Sequence, residues 1–91
     1  MKLNIKPEAD KIFQKLSKKD SKQLIIIDKK ITEMRSNPNH GYKFLRKPLN
    51  SFNRVHIDKH FVLIFKIDHT KRIVDIYYYG HQDNIYNWRP E

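Results

Sequence analysis

The sequence predicts an α+β fold, in which a short N-terminal strand and an antiparallel helical hairpin pack on a mostly antiparallel sheet of four to five strands. Apolar residues recur at helical spacing in the first 35 residues, whereas they alternate with polar residues between positions 53 and 79. Helices and strands segregated in this way are typical of α+β domains. Because the chain has 91 residues, we expect a single domain covering residues 1–91.

Charge is the strongest signal in the composition. Nineteen Lys and Arg residues against ten Asp and Glu residues give a formal net charge of +9. Such a field attracts polyanions, so RNA, DNA, an acidic protein or an anionic membrane surface are candidate partners, and a lysine-rich surface that only maintains solubility is the plain alternative. The chain has no cysteine, no signal-peptide pattern and no long apolar run, so we expect a cytoplasmic protein without a membrane partner.

The first elements are a short strand at residues 2–6 and a helix that begins at Pro7. The strand is indicated by alternation, and proline suits the first turn of a helix. The helix is predicted to end at Ser17, and its apolar residues fall at positions i, i+3, i+4 and i+7: Ala9, Ile12, Phe13 and Leu16.

A second helix is predicted from Asp20 to about residue 35. Asp20 can cap its N-terminus, with Gln23 three residues later as in a capping box. Asn37 to Gly41 is predicted to end it. Its apolar stripe comprises Leu24, Ile27, Ile31 and Met34, widened by Ile25 and Ile26.

The rest of the chain is predicted to form the sheet. Residues 42–46 can form a short edge strand, and strands are expected over 52–57, 61–67 and 73–79. The middle one is apolar on both faces, as in a central strand. In the last strand we expect Tyr78 in the core, with Tyr77 and Tyr79 on the exposed face. One sheet face is expected to be covered by the helices and the other to be free for a ligand.

Two clusters of ionisable residues lie at strand ends. Arg54 and His56 are two residues apart, so they share a face of a strand at about 7 Å spacing, which matches consecutive phosphates. Lys59 and His60 follow in the turn. A solvated strand face is the alternative interpretation of these four residues.

The second cluster follows the last strand. Gly80 is predicted to end that strand and to expose His81 and Gln82, and Tyr86 lies where it can stack on a base or donate its hydroxyl. A C-terminal turn that only covers the sheet edge is the alternative. Three further cations, Lys43, Arg46 and Lys47, are expected to flank the same sheet and to contact phosphates.

These groups suit a metal-free ribonuclease. A base removes the proton of the ribose 2′-OH, the oxygen attacks the adjacent phosphate, an acid protonates the leaving 5′ oxygen, and cations stabilise the developing charge. Histidine can serve as either acid or base near neutral pH. The sequence contains no glycine-rich phosphate loop and no zinc signature, so we expect neither a cofactor nor a metal.

Taken together, these residues resemble the RelE/ParE superfamily of toxins from type II toxin–antitoxin modules. The chain's Gly80, His81 and Tyr86 match the Gly-His-Arg-x-x-x-Tyr ending of that family. The segment from His56 to Phe65 is most similar to the YafQ branch. The resemblance departs from the family at two arginines, which are replaced here by Val62 and Gln82.

The resemblance implies a toxin that cleaves mRNA in the ribosomal A site and is silenced by a cognate antitoxin. It implies that Arg54 holds the phosphate. From their placement in the sequence, Lys43, Arg46, Lys47 and Lys59 are expected to assist RNA binding, together with Gln82. The expected acid–base residues are His56, His60, His81 and Tyr86. Two alternatives stay open: a ParE-like inhibitor of DNA gyrase, and a basic RNA-binding module of the same fold without catalysis.

Overall fold

The computed structural model describes residues 1–90, and it confirms the predicted α+β fold. The elements, in chain order, are β1 (Lys2–Ile5), α1 (Pro7–Lys19), α2 (Ser21–Ser36), β2 (Lys43–Phe44), β3 (Asn53–Ile57), β4 (Phe61–Asp68), β5 (Ile73–His81) and a 3₁₀ turn (Ile85–Asn87). The five strands are ordered β1-β5-β4-β3-β2 across the sheet. β1 pairs with β5 in parallel, and all other neighbours are antiparallel.

The helical hairpin turns within one residue, Asp20. The Asp20 carboxylate accepts a hydrogen bond of 3.2 Å from the backbone N–H of Gln23, so the predicted N-cap is confirmed. α1 continues through Lys19 rather than ending at Ser17. The prediction that Ile25 and Ile26 widen the buried stripe is wrong, since these side chains are 68% and 46% exposed. Only the positions at helical spacing face the sheet.

The helices cover one face of the sheet and enclose the larger of two cores. β4 contributes Leu63 and Phe65 to this core, and both are fully buried. Within residues 1–90, neither helix is long and apolar enough to cross a membrane.

The opposite face of the sheet carries a second, smaller core, so the expectation of a wholly free face is wrong. Val62 and Ile64 of β4 are buried there under the loop that follows β2 and under the C-terminal segment. Trp88 packs edge to face on Phe52, and its indole N–H donates to Glu8 at 2.8 Å. The end of this face near Arg54 and His56 stays open as a cleft.

A β-bulge in β5 reverses the faces of the last tyrosines. Ile64 pairs with Tyr78 but Phe65 pairs with Ile76, so Tyr77 is the extra residue. The alternation shifts by one position, and Tyr79 is buried in the helix-side core at 4% exposure. Tyr78 packs instead against the smaller core, with its ring stacked on Trp88. The predicted assignment of Tyr79 to the exposed face is therefore wrong.

Gly80 lies within β5 rather than ending it, and it is required by close packing. A Cβ at this position would lie 2.8 Å from Cε2 of Tyr78. Gly80 pairs with Val62, so the strand continues to His81. Because Gly80 has no side chain, the Tyr78 ring can lie directly against its backbone.

Gly80→Ala should lower the free energy of unfolding by about 1–3 kcal/mol, because the new methyl group overpacks against the Tyr78 ring. Urea denaturation measures the loss. Gly41→Ala is the matched control, since its Cβ would meet nothing within 4 Å. In a Tyr78→Ala background the penalty of Gly80→Ala should largely vanish, and an undiminished penalty there would contradict the steric explanation.

Candidate nucleic-acid cleft

The open end of the second sheet face forms a cleft of about 250 Å³. β3, β4, the segment after β2 and the C-terminal segment contribute its walls. Five polar side chains line it: Arg46, Arg54, His56, Gln82 and Tyr86. Val62 and the buried Leu45 and Ile85 form its apolar base. None of the lining residues is acidic.

β3 sets the spacing of the cations. Arg54 and His56 share a strand face, about 7 Å apart, as the sequence predicted. Lys43 of β2 lies directly opposite Arg54 in the ladder. Like charges at opposed positions are destabilising. Within residues 1–90 none of these cations forms a salt bridge, so their charge is available to an anion.

Tyr86 and Arg46 form the other wall and are held together by three contacts. The Tyr86 hydroxyl oxygen accepts hydrogen bonds from the backbone N–H of Arg46 at 3.0 Å and from its Nε at 3.4 Å. The Arg46 guanidinium also lies 4.7 Å from the centre of the Tyr86 ring. These contacts hold Tyr86 at the cleft. Because its hydroxyl oxygen accepts both hydrogen bonds, the O–H itself can still donate one to a ligand.

The pKa of Tyr86 lies below the ordinary value of 10.0. Burial is the largest single influence and raises the pKa. The two hydrogen bonds from Arg46 and the positive charges of Arg46 and Arg54 together outweigh it, because they stabilise the phenolate. Tyr86 therefore gives up its proton more readily than a free tyrosine.

The remaining expected RNA-binding lysines are exposed. Lys47 lies in the loop after β2, and Lys59 lies in the turn between β3 and β4. Neither lines the cleft.

The structure does not bring His60 and His81 to the cleft. Their rings stack on one another, with centroids 5.9 Å apart and an interplanar angle of 6°. The His81 ring contacts Phe61 edge to face, and Phe61 stacks on Tyr79 of the helix-side core. Since alternate residues of a strand face opposite sides, His81 shares the face of Tyr79 and not that of the cleft. The two histidines form a separate pair beside the helices.

Sequence reasoning missed Phe44, which also lines the cleft and is 59% exposed. An isolated phenylalanine between Lys43 and Leu45 is easily assigned to a core. The signal that could have identified it is its place in a two-residue edge strand next to cations. Within residues 1–90, no three His, Asp or Glu side chains are grouped so as to hold a metal ion.

Solved structures show which class of protein has this fold. A YoeB/ParE toxin from Agrobacterium tumefaciens superposes with a TM-score of 0.79 at 12% identity, covering 90% of this chain and 99% of that one. The toxin–antitoxin complex RelBE2 of Mycobacterium tuberculosis matches with a TM-score of 0.69 at 17% identity, covering 89% of this chain and 96% of the other. The chain has the fold of toxins from toxin–antitoxin modules.

Sequence relatives identify the family. A Methanocaldococcus jannaschii protein provisionally named toxin RelE4 is 54% identical over 84 residues, covering 92% of this chain and 88% of that protein. An uncharacterized protein of Methanosarcina mazei is 52% identical over 84 residues, covering 92% and 96%. No protein-family model matches the sequence. The chain belongs to the RelE/ParE toxin superfamily.

Arg46→Ala should raise the pKa of Tyr86, because it removes the Nε hydrogen bond and the nearest positive charge and leaves only the backbone bond. A pH titration of the tyrosine Cζ resonances by ¹³C NMR measures the change. Lys71→Ala, in the turn between β4 and β5, removes one charge far from Tyr86 and serves as the control. An unchanged Tyr86 pKa in Arg46→Ala would show that the side chain does not act on the phenol.

Proposed function

We propose that this toxin is a ribosome-dependent mRNA endoribonuclease that cleaves by metal-free attack of the ribose 2′-OH. The observation that carries the proposal is the convergence of Arg46, Arg54, His56 and Tyr86 on one cleft without an acidic lining residue. These groups supply positive charge for a phosphate and two side chains able to move protons. The resemblance of Gly80, His81 and Tyr86 to the ending of the mRNA-cleaving toxins supports mRNA on the ribosome as the target.

The chemistry requires one base and one acid. Neutral His56 takes the proton from the 2′-OH, whose oxygen then bonds to the adjacent phosphorus. The bond from phosphorus to the 5′ oxygen breaks, and Tyr86 donates its proton to that leaving oxygen. The products are a 2′,3′-cyclic phosphate and a free 5′-OH. The lowered pKa of Tyr86 suits it to the role of acid.

The phosphate is assigned to Arg54, assisted by Lys43 opposite it in the ladder. Gln82 can donate only neutral hydrogen bonds, and Val62 donates none. Where the family has arginines at these two positions, this cleft offers two fewer charges to the developing dianionic phosphorane. We therefore expect slower cleavage than in a member that carries both arginines.

A cognate antitoxin is the proposed partner. The RelBE2 structure is a complex of toxin and antitoxin, which supports the same kind of assembly here. The uncompensated cations of the cleft favour an antitoxin segment rich in Asp and Glu, which would occupy the place of the RNA phosphates. Such a segment blocks the acid and the base together.

His56→Gln and Tyr86→Phe should each lower the rate of mRNA cleavage on purified ribosomes by about 10²–10⁴-fold, the contribution of one acid or base. Primer extension on the translated mRNA measures the cut. His60→Gln and His81→Gln test the placement seen in the structure, since neither ring reaches the cleft and both variants should cleave at the parental rate. Loss of cleavage in those two variants alone would overturn the assignment to His56.

Cleavage should slow at alkaline pH. The rate should fall as pH passes the lowered pKa of Tyr86, because the phenolate cannot donate a proton. Single-turnover rates at saturating ribosome concentration give the profile. Arg46→Ala, which removes a cause of the lowered pKa of Tyr86, should move this fall to higher pH, and an unmoved fall would exclude Tyr86 as the acid.

Two other outcomes correspond to other functions of this fold. Inhibition of DNA supercoiling by gyrase, without RNA cleavage, would identify a gyrase inhibitor, a function compatible with the missing arginines at Val62 and Gln82. Salt-sensitive RNA binding that is unaffected by His56→Gln, without cleavage, would identify a binding module.

A further inference from the structure

Phe44 is an aromatic side chain at the edge of the sheet with no structural role to explain it. It is 59% exposed and contributes to neither core. A single exposed apolar residue is ordinary on a protein surface. Phe44 differs because it lines the cleft and follows Lys43, whose charge faces Arg54.

A second groove lies on the other side of Phe44. It has a volume of about 310 Å³, and Phe44 is the residue that lines both it and the cleft. The polar side chains of this edge groove are His40, Tyr42, Ser51, Asn53, Lys66 and His69. As in the cleft, no acidic residue lines it.

The groove is partly built in advance. Asn53 donates from Nδ2 to the carbonyl oxygens of Tyr42 and Lys43 at 3.4 Å each, which ties the edge of the groove to β3. The Lys66 ammonium lies 4.3 Å from the centre of the Phe52 ring, which holds the charge near the sheet. His40 packs edge to face on Tyr42 with ring centres 4.8 Å apart.

A basic groove interleaved with an exposed aromatic ring is the arrangement by which proteins hold single-stranded nucleic acid: cations follow the backbone, and bases stack on the ring. The positive charge of Lys66 and the absence of acidic lining residues from both depressions favour an anionic strand over a neutral or basic peptide. Because Phe44 lines both depressions, a nucleic-acid strand that occupies both would pass over its ring.

We propose that the edge groove is a second nucleotide subsite, in which a base of the bound RNA strand stacks on Phe44 and its phosphate meets Lys66 or His69. The inference rests on the proposed function, since it takes RNA as the ligand of the cleft. With this subsite the protein contacts a longer segment of single-stranded RNA than the two nucleotides on either side of the cleaved bond. Substrate length then contributes to affinity.

Fluorescence anisotropy with 5′-labelled 2′-O-methyl RNA tests the subsite, because this RNA lacks the nucleophile and is not cut. Phe44→Ala should weaken binding of a hexanucleotide by about ten-fold, within the range of one base–aromatic stack. It should change binding of a dinucleotide less than about two-fold, since a dinucleotide fills only the cleft. Phe44→Trp should retain hexanucleotide affinity, and Phe44→Leu, which keeps the bulk but not the ring, should lose it.

Ile26→Ala is the matched control, because Ile26 is also exposed but lies on α2 away from both grooves, and its affinity should equal that of the parent. Circular dichroism should show unchanged thermal unfolding for all these exposed-site variants.

Unchanged hexanucleotide affinity in Phe44→Ala overturns the subsite and leaves Phe44 as a contact for a protein. Equal losses for both lengths also overturn it, because Phe44 would then act within the cleft alone. No binding of either RNA by the parent chain also overturns the subsite, whereas the proposed function is tested separately by mRNA cleavage on ribosomes.

Discussion

The fold depends on one constraint: β4 is buried on both faces. Its residues alternate between two cores, with Leu63 and Phe65 beneath the helices and Val62 and Ile64 beneath the C-terminal segment. A strand in this position forces the chain to supply a cover for each side. The helical hairpin provides one, and the loop after β2 together with Trp88 provides the other. The cleft is the part of the second side that these covers do not reach.

The cover of the second side also brings the chemistry together. The loop that buries Leu45 carries Arg46, and the segment that buries Ile85 carries Tyr86. Their contact, through the backbone N–H and the guanidinium of Arg46, therefore forms wherever the small core forms. Packing and the proposed chemistry are linked here by adjacent residues in the sequence, one apolar and buried, the next polar and lining the cleft. This link explains how a chain of 91 residues can hold Tyr86 in place: the small core that stabilises the fold also positions its side chain.

Much of this architecture follows from local patterns. Proline at the start of α1, the Asp20 cap and the alternation in β3 and β4 act through neighbours in the sequence, so reading the sequence finds them. The side of the sheet on which Tyr79 lies could not be predicted from local patterns. It is set by the bulge at Tyr77, which depends on how β5 pairs with β4. The same holds for His81: its place in the sequence suggested a site with His60, but strand alternation counted from the bulge puts it on the helix side of the sheet, and His60 stacks on it there. Arg54, His56 and Tyr86 were assigned to one place and do line one cleft.

The short edge strand β2 connects the cations of the phosphate position with the segment that holds Tyr86. β2 is paired at only two positions, and one of them sets Lys43 against Arg54. Repulsion between these cations opposes the pairing of β2 with β3, and an anion bound between them would relieve that repulsion. Arg46 follows β2 by two residues and its backbone N–H donates to the Tyr86 hydroxyl, so the edge strand connects the position of an anion with that of the tyrosine. In a ribonuclease of the kind proposed, binding of the phosphate and placement of Tyr86 would then favour each other by the same free energy.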